Sequence, residues 1–397
     1  MQAKIKGESS KDMKNINRLI VLKLISTLGE IKRSEIIEYT NLSKMTATNI
    51  AEDLMVRGII TEAENKISLS GAGRRPSLLR LSENSPLVGG IYIGRKSCSV
   101  LFSDLSAKVI CENKKEYEKV YDAESLIDFV SDLYSETLKG TKRKVLCTGL
   151  SVPGPVDSLK GIILAPTNFF GIKDLPIKDI LEEKFNSPVT LAHDTACAAE
   201  GEHLYGAGKN MDNFLLVHLH HGIGAGIIAN GKVFDGAMGI GGELGHISID
   251  LNGEKCECGA RGCLEKYANE QNLLKDYNSI SKTQARSISL KEVTEKAAKG
   301  DKAAIYAAEK FTSYLSAALV SALNFIDTHK VILSYHGVNG ILEKMLEKEI
   351  NSSIFASRYR KIEVIPSAFK GDATIIGAVA AAAEEIFSGK VKITEEW

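Results

Sequence analysis

Apolar and polar positions in the first part of the chain follow helical periods. Between residues 15 and 29 an apolar stripe predicts a first amphipathic helix, which Asn15 caps and Gly29 ends. The stripe consists of Ile16, Leu19, Ile20, Lys23, Leu24, Ile25 and Leu28. A short second helix is predicted over residues 34–40, and a third over residues 44–57 after a turn at 41–43. This succession of helix, short helix, turn and helix is the order of a helix-turn-helix module.

The third predicted helix begins with side chains that suit DNA. Its first turns carry short polar or basic residues, which are Lys44, Thr46, Thr48 and Asn49. At the N-terminal end of a recognition helix, such side chains reach base edges and phosphates in the major groove. The apolar residues 50, 54 and 55 remain available for the core. The pattern therefore predicts a DNA-reading helix.

Two alternating stretches after the third helix predict the hairpin wing of a winged helix. They are residues 59–62 and 66–69, on either side of Glu64-Asn65. A linker, Gly-Ala-Gly-Arg-Arg-Pro, follows at residues 71–76. Its arginines, Arg74 and Arg75, stand on a backbone that the proline keeps extended, and such arginines suit a narrow minor groove. The alternative, in which the module only packs and the linker only connects, stays open.

The charge distribution agrees with a polyanionic partner for this segment. Residues 1–80 contain 14 Lys and Arg against 9 Asp and Glu, whereas the whole chain has 50 of each. The excess positive charge therefore lies on the N-terminal segment. No run of 18 apolar residues occurs, and the first residues lack the apolar core of a signal peptide. We therefore expect a cytoplasmic protein without a membrane span.

Beyond the linker, strand-like and helix-like segments alternate. Short apolar runs at residues 88–93, 99–102 and 145–152 predict strands, and helical segments follow them. A final helix is predicted over residues 374–387. Because a chain of 397 residues is too long for one compact core, we expect two or three domains. The alternation predicts an α/β architecture for them.

One short segment has the spacing of a metal site. A histidine and three cysteines, His246, Cys256, Cys258 and Cys263, fall within 18 residues. One imidazole and three thiolates form a ligand set that tetrahedral zinc takes at structural sites. The ligand set fills all four positions and leaves none for water, so we expect zinc to order a loop and not to perform chemistry. Free thiols beside a core histidine are the alternative.

The same segment carries a family resemblance. With Gly-Glu-Leu-Gly-His at 242–246 and Cys-Glu-Cys-Gly-Ala-Arg-Gly-Cys-Leu-Glu at 256–265, the chain resembles the ROK family of repressors, open reading frames and kinases. Together with the winged helix, it is similar to the repressor branch. The resemblance implies an actin-like, hexokinase-like fold of two α/β lobes around a sugar cleft. We expect the winged helix and linker at 1–80, the first lobe at 81–195 and 375–397, and the second lobe, with the zinc site, at 196–374.

The resemblance also implies a set of sugar-binding residues. By position these are Asn168, Asp194, Glu243, His246 and Glu265, where Asp194 stands in place of the catalytic aspartate of the kinases. Carboxylates accept hydrogen bonds from adjacent sugar hydroxyls, which makes them the natural chemistry for carbohydrate selection. His246 would place one ring nitrogen on zinc and the other toward the sugar.

Three departures from the family pattern argue against phosphoryl transfer. Active members usually carry Asp-x-Gly-Gly-Thr in the first turn, where this chain reads Tyr-Ile-Gly-Arg-Lys at 92–96. A second phosphate loop, usually Gly-Thr-Gly-x-Gly, reads His-His-Gly-Ile-Gly at 220–224, and a later glycine pair is replaced around 334–336. Bulky side chains here obstruct the backbone that would bind ATP phosphates. We therefore expect no catalytic residues in this chain.

These observations lead to one preferred function and two alternatives. The preferred function is a sugar-responsive repressor with operator DNA and a sugar or sugar phosphate as partners, acting as a homodimer or tetramer. The first alternative is an active ATP-dependent sugar kinase that carries a DNA-binding domain. The second is regulation by a protein partner, as the resemblance implies for one branch of the family. No residue decides which sugar is bound.

Overall fold

The structure is a computed structural model that describes residues 10–63, 77–166, 168–220, 222–236, 239–282, 284–337, 339–353 and 355–392. Its contacts divide the chain into two compact units. The first contains Met1–Leu150, Asn168–Leu191 and Ala378–Trp397, and the second contains Ser151–Thr167 and Ala192–Gly377. The domain boundaries inferred from the sequence stay predictions. Within the described residues, no helix has both the length and the apolarity to cross a membrane.

The first unit begins with the predicted helix-turn-helix. Its elements are α1 (Ser10–Leu28), β1 (Ile31–Lys32), α2 (Arg33–Thr40), α3 (Lys44–Val56), β2 (Ile60–Ala63) and β3 (Leu78–Leu81). The turn before α3 is tight because Asn41 adopts a left-handed conformation with φ 54°. Ser43 then caps α3 by accepting a hydrogen bond from the backbone N–H of Thr46, at 3.1 Å.

Two details of the first helix were predicted wrongly. The helix begins at Ser10, so Asn15 lies inside it and is not its cap. Its buried face is centred on Leu19, Val21, Leu22 and Ile25. Ile16 and Ile20 are 38% and 46% exposed, because the helix is rotated relative to the predicted stripe.

The wing is described only in part. Strand β2 pairs antiparallel with β3, with Ile60 opposite Leu81, and β1 completes a sheet in the order β1-β3-β2. The predicted second strand at residues 66–69, the Glu64-Asn65 turn and the linker at residues 71–76 lie outside the described residues. Arg74 and Arg75 therefore have no structural description.

The rest of the first unit is built on a five-stranded sheet in the order β10-β7-β4-β5-β6. The elements of this region are β4 (Leu87–Ile93), β5 (Ser97–Ser103), β6 (Val109–Glu116), α4 (Ala123–Leu138), β7 (Val145–Val152), α5 (Ile177–Phe185) and β10 (Val189–His193). Between β7 and α5, the strands β8 (Val156–Asp157) and β9 (Ile162–Ile163) pair with each other and fall in the second unit. The three predicted strand segments are present as β4, β5 and β7. Short apolar runs of this kind are typical of strands that are covered on both faces of a sheet.

The second unit is built on another five-stranded sheet, in the order β13-β12-β11-β14-β15. Its elements are α6 (Asp194–Tyr205), β11 (Phe214–Leu219), β12 (Ile223–Ala229), β13 (Lys232–Val233), α7 (Glu270–Ile280), α8 (Leu290–Ala298), α9 (Lys302–Ile326), β14 (Lys330–Tyr335), α10 (Ile341–Ser353) and β15 (Glu363–Pro366). The last helix, α11 (Ala373–Phe387), begins in the second unit and ends in the first. Strands β11 and β14 run parallel, so their carboxyl ends meet at one edge of the sheet. Ligands of open α/β sheets bind at that edge.

Candidate functional site

The structure brings the predicted metal ligands together. His246 lies in a short 3-10 turn, Leu244–His246, and its Nδ1 is 3.8 Å from Cys256 Sγ. The sulfur atoms of Cys258 and Cys263 are 3.6 Å apart. All four ligand atoms lie within 4.8 Å of one another. The group can therefore hold one metal ion.

The loop between the cysteines is folded by its backbone. The N–H of Cys256 donates to the carbonyl of Ala260 at 2.8 Å, and the N–H of Gly262 donates to the carbonyl of Glu254 at 2.9 Å. Gly262 has φ +69°, and a Cβ there would overlap the carbonyl oxygen of Asp250. Only glycine fits this position, because it permits both the left-handed backbone and the close approach.

Two separations within this group agree with a zinc site. Atoms at the corners of a tetrahedron about 2.3 Å from a zinc ion are about 3.8 Å apart. The observed separations of 3.6 and 3.8 Å match that value. The thiols differ in acidity: burial raises the pKa of Cys263 to about 12, whereas a hydrogen bond with the backbone of Ala260 lowers the pKa of Cys258. Cys258 is the exposed member of the set.

Asp194 is the first residue of α6, and its carboxylate lies beside His193. Its Oδ1 is 3.3 Å from Nε2 of His193, and the two side chains are only 15% and 12% exposed. The Nδ1 of His193 is 2.9 Å from the hydroxyl of Thr195. Both ring nitrogens are therefore engaged. This arrangement holds the Asp194 carboxylate in one orientation.

Glu243 and His246 lie beside this pair. Glu243 Oε2 is 3.9 Å from Nε2 of His246, the ring nitrogen that does not face Cys256. A Cβ at Gly154 would lie 2.7 Å from His193 Nε2 and 3.5 Å from Glu243 Oε1, so Gly154 leaves room between the two side chains. The metal loop and the Asp194 cluster are therefore neighbours, and Glu243 belongs to both.

Glu265 supports the backbone of this region. Its Oε1 accepts a hydrogen bond from the N–H of Ile223 at 2.7 Å, at the start of β12. The same oxygen would be 2.5 Å from a Cβ at Gly222 and 2.7 Å from a Cβ at Gly245. One carboxylate oxygen thus fixes the turn at Gly222, while the residue directly follows Leu264 in the metal loop. Its role in binding sugar stays a prediction.

Asn168 differs from the other four predicted sugar residues. It is exposed, has φ 54° and belongs to the first unit, whereas Asp194, Glu243, His246 and Glu265 belong to the second. The left-handed backbone suits asparagine, which tolerates this conformation better than most residues. The structure therefore unites four of the five predicted residues, and sugar binding by Asn168 stays a prediction.

Two residues of this cluster were not predicted. His193 was treated only as the residue before Asp194, although direct adjacency to a candidate carboxylate was the available signal. Asp235 interacts electrostatically with His193, and burial raises the pKa of its carboxyl while the histidine lowers it. A lone Asp-Gly pair between β13 and the glycine-rich turn gives no sequence signal of this position.

The predicted DNA-reading residues stand together at the start of α3. Lys44 and Asn49 are exposed, and Thr46 and Thr48 are partly exposed. The Thr48 hydroxyl donates to the carbonyl of Lys44 at 2.8 Å, and the Thr46 hydroxyl is 2.8 Å from that of Ser43. The opposite face of α3 packs through Ile50 and Leu54, which are buried. These four side chains therefore form one polar surface.

Histidines occupy the carboxyl ends of β11 and β14. The rings of His218 and His220 stack with their centroids 5.8 Å apart, and the ring of His220 is 5.2 Å from that of His336. His218 Nδ1 lies 3.2 Å from the hydroxyl of Ser334. Imidazole rings thus fill an edge where the kinases of the resembled family have glycines. Loss of phosphate binding at this edge stays a prediction.

Comparisons with known proteins agree with this architecture. The chain is 29% identical over 374 residues to the xylose repressor of Bacillus subtilis (strain 168), covering 92% of this chain and 94% of that one. A solved ROK family transcriptional regulator, described as a homolog of the Escherichia coli MLC protein, matches with TM-score 0.79 and 26% identity over 96% of this chain and 98% of its own. The ROK hexokinase of Thermus thermophilus matches with TM-score 0.64 and 25% identity over 76% of this chain and 100% of its own.

These matches confirm the predicted hexokinase-like α/β fold. The full-length matches extend into the N-terminal helices, whereas the hexokinase covers about three quarters of the chain. A model described as ROK family matches residues 88–385, which is well over half of the sequence. The chain therefore belongs to the ROK family.

Proposed function

We propose that this protein is a sugar-responsive, DNA-binding repressor of carbohydrate-metabolism genes. The observation that carries the proposal is the presence in one chain of an exposed polar reading surface on α3 and a buried polar cluster at Asp194. A full-length relative is named a xylose repressor, and the full-length structural match is a transcriptional regulator. A repressor of transcription acts where its operator DNA lies, so we propose a cytoplasmic location.

The cluster at Asp194 is the sugar site in this proposal. Asp194 and Glu243 accept hydrogen bonds from adjacent hydroxyls, and Nε2 of His246 faces the same side as Glu243. His193 and Thr195 hold Asp194 in place. Asn168 and Glu265 complete the set, Glu265 by fixing the turn at Gly222. The ligand is a sugar or a sugar phosphate.

Zinc is a structural part of this site. His246, Cys256, Cys258 and Cys263 would hold the ion, which supplies a fixed point that orders the loop and leaves no position for a reacting water. Because Nδ1 of His246 faces the cysteines, the metal would fix the tautomer of the ring and aim Nε2 at the ligand. Loss of metal would therefore weaken sugar binding.

The α3 surface binds operator DNA in the major groove. Lys44 and Asn49 lie in the N-terminal half of α3, which would enter the groove first, and Thr46 and Thr48 stand beside them. We assign Arg74 and Arg75 to the adjacent minor groove. Two copies of the chain, in a homodimer or within a tetramer, would present two such surfaces, so the operator would be an inverted repeat.

Phosphoryl transfer is not part of the proposed function. The turn at 92–96 lacks the acid and the second glycine of the kinases, and His220 and His336 stand where phosphates would approach. The alternative is an active sugar kinase, which the retained Asp194 and the match to a hexokinase favour. ATP consumption across a panel of pentoses, hexoses and amino sugars separates the two, since only the kinase forms ADP at a sugar-dependent rate.

A thermal-shift screen tests the sugar site itself. The panel contains D-xylose, D-glucose, N-acetylglucosamine and the 6-phosphates of the two hexoses. A sugar present at 100 times its Kd should stabilise the fold by about 2.7 kcal/mol. No shift with any sugar, together with no effect of sugar on DNA binding, would leave a protein partner as the source of the signal.

A further inference from the structure

Helix α11 is one continuous helix that belongs to both compact units. It begins at Ala373 in the second unit, and the division between the units falls after Gly377, inside the helix. Residues 377–380 are buried, so the helix is enclosed where it passes from one unit to the next.

The beginning of α11 contacts the helix that carries Asp194. A Cβ at Gly377 would overlap the carbonyl group of Cys197 in α6, and a Cβ at Gly201 would lie 3.0 Å from the Cα of Gly377. The two helices therefore touch backbone to backbone, without intervening side chains. Cys197 is only one turn from Asp194 along α6.

The other end of α11 contacts the DNA-binding module. Glu384 Oε2 is 2.6 Å from Nζ of Lys23 in α1, and the same ammonium group is 5.9 Å from the centre of the Phe387 ring. Just beyond the helix, a Cβ at Gly389 would lie 3.1 Å from the side chain of Leu19. Helix α1 thus rests on the C-terminal end of α11.

Helix α1 in turn contacts the reading helix. Arg18 pairs with Asp53 of α3 at 2.7 Å, and Arg57 pairs with the same carboxylate at 3.1 Å. The Arg18 and Asp53 side chains are 15% and 28% exposed, so this pair is shielded from solvent more than most surface pairs. Arg18 therefore links α1 to α3.

We propose that α11 transmits the state of the sugar site to the DNA-binding module, and that the Lys23–Glu384 pair is the coupling contact. The inference rests on the proposed function and names its regulation. Sugar changes the position of α6, α11 follows through the Gly377 contact, and the pair at its other end displaces α1 and α3. Coupling of this kind is a free energy shared between two sites, so it can be lost while each site still binds its own ligand.

The test compares coupling in the full-length protein and its variants. The DNA is a duplex selected by the wild type from a randomised library, and the sugar is D-xylose or, if D-xylose is inactive, the panel sugar that releases the wild type. The coupling factor is the ratio of the Kd for DNA with saturating sugar to the Kd without it. Lys23→Met and Glu384→Gln should each lower this factor by up to about five-fold, the equivalent of a pair worth about 1 kcal/mol.

Controls separate coupling from folding and from the proposed function. The charge swap Lys23→Glu with Glu384→Lys should restore the factor, whereas Lys184→Met, which breaks the half-exposed pair with Asp128, should not change it. Sugar affinity measured by calorimetry should stay within two-fold in all variants. An unchanged factor in Lys23→Met and Glu384→Gln overturns the inference, and a wild type that no sugar releases overturns the proposed function instead.

Discussion

Replacement of Cys258 by serine should affect stability differently in a metal-bound loop and in a metal-free loop. Cys258 is exposed, so its side chain contributes little packing of its own. In a loop without metal, the substitution should therefore change stability by no more than about 0.5 kcal/mol. In a zinc-bound loop, the same substitution removes one of four ligands from the ion.

The expected loss is much larger with zinc present. Mutation of a residue that only hydrogen-bonds to a metal ligand already lowers metal affinity by about 10- to 100-fold. Loss of a ligand should lower zinc affinity by at least about 100-fold, which corresponds to about 2.7 kcal/mol of binding free energy. Because His246 is shared between the metal set and Glu243, the variant should also bind sugar more weakly.

The assay combines elemental analysis with sugar titration. Wild-type protein purified without chelator should contain one zinc per chain, and the Cys258→Ser variant should contain much less after dialysis. Cys111→Ser is the matched control, since Cys111 is a partly exposed free cysteine outside the metal set. Absence of zinc from the wild type, or equal zinc content and sugar affinity in the Cys258 variant, would refute the reasoning.

Four further variants test the remaining parts of the account. Asp194→Ala removes a charged acceptor worth about 1.5 to 3 kcal/mol, so the variant should bind operator normally and need roughly 10 to 150 times more sugar for release in an anisotropy titration. Alanine at both Arg74 and Arg75 should weaken operator binding and flatten its dependence on salt, whereas Asn49→Ala should relax discrimination among bases by about 1 to 3 kcal/mol in competition binding. Burial raises the pKa of Asp235, so its ionisation costs stability as pH rises through that pKa. Asp235→Asn should therefore raise the melting temperature more at pH 7 than at pH 4, and an equal gain at both would contradict the burial effect.

The sequence was most informative where one physical pattern had one interpretation. Zinc ligands have strict spacing, so the group at His246 was found without any knowledge of the fold. The short buried strands were equally clear, because a short apolar run that is bordered by glycine or charged residues is typical of a strand. Helix α1 was harder, since its polar first turns have no apolar period, and its start at Ser10 was missed.

Contacts between distant segments could not be predicted from one sequence. Asp235 is more than 40 residues from His193, and only the folded backbone brings their charges together. The interaction of Glu265 with the N–H of Ile223 likewise depends on how the metal loop packs on β12. The pairing of Lys23 with Glu384 joins residues near opposite ends of the chain, and neither residue has a distinctive local pattern.

Release of operator by sugar in the absence of ATP tests the central claim most directly. The measurement is the fluorescence anisotropy of labelled selected DNA bound to the full-length protein, titrated with each sugar of the panel, with and without Mg-ATP. The account predicts that one sugar or sugar phosphate releases the DNA at the same midpoint in both series, and that no ADP forms. DNA binding that no sugar changes, or release that requires ATP hydrolysis, would contradict it.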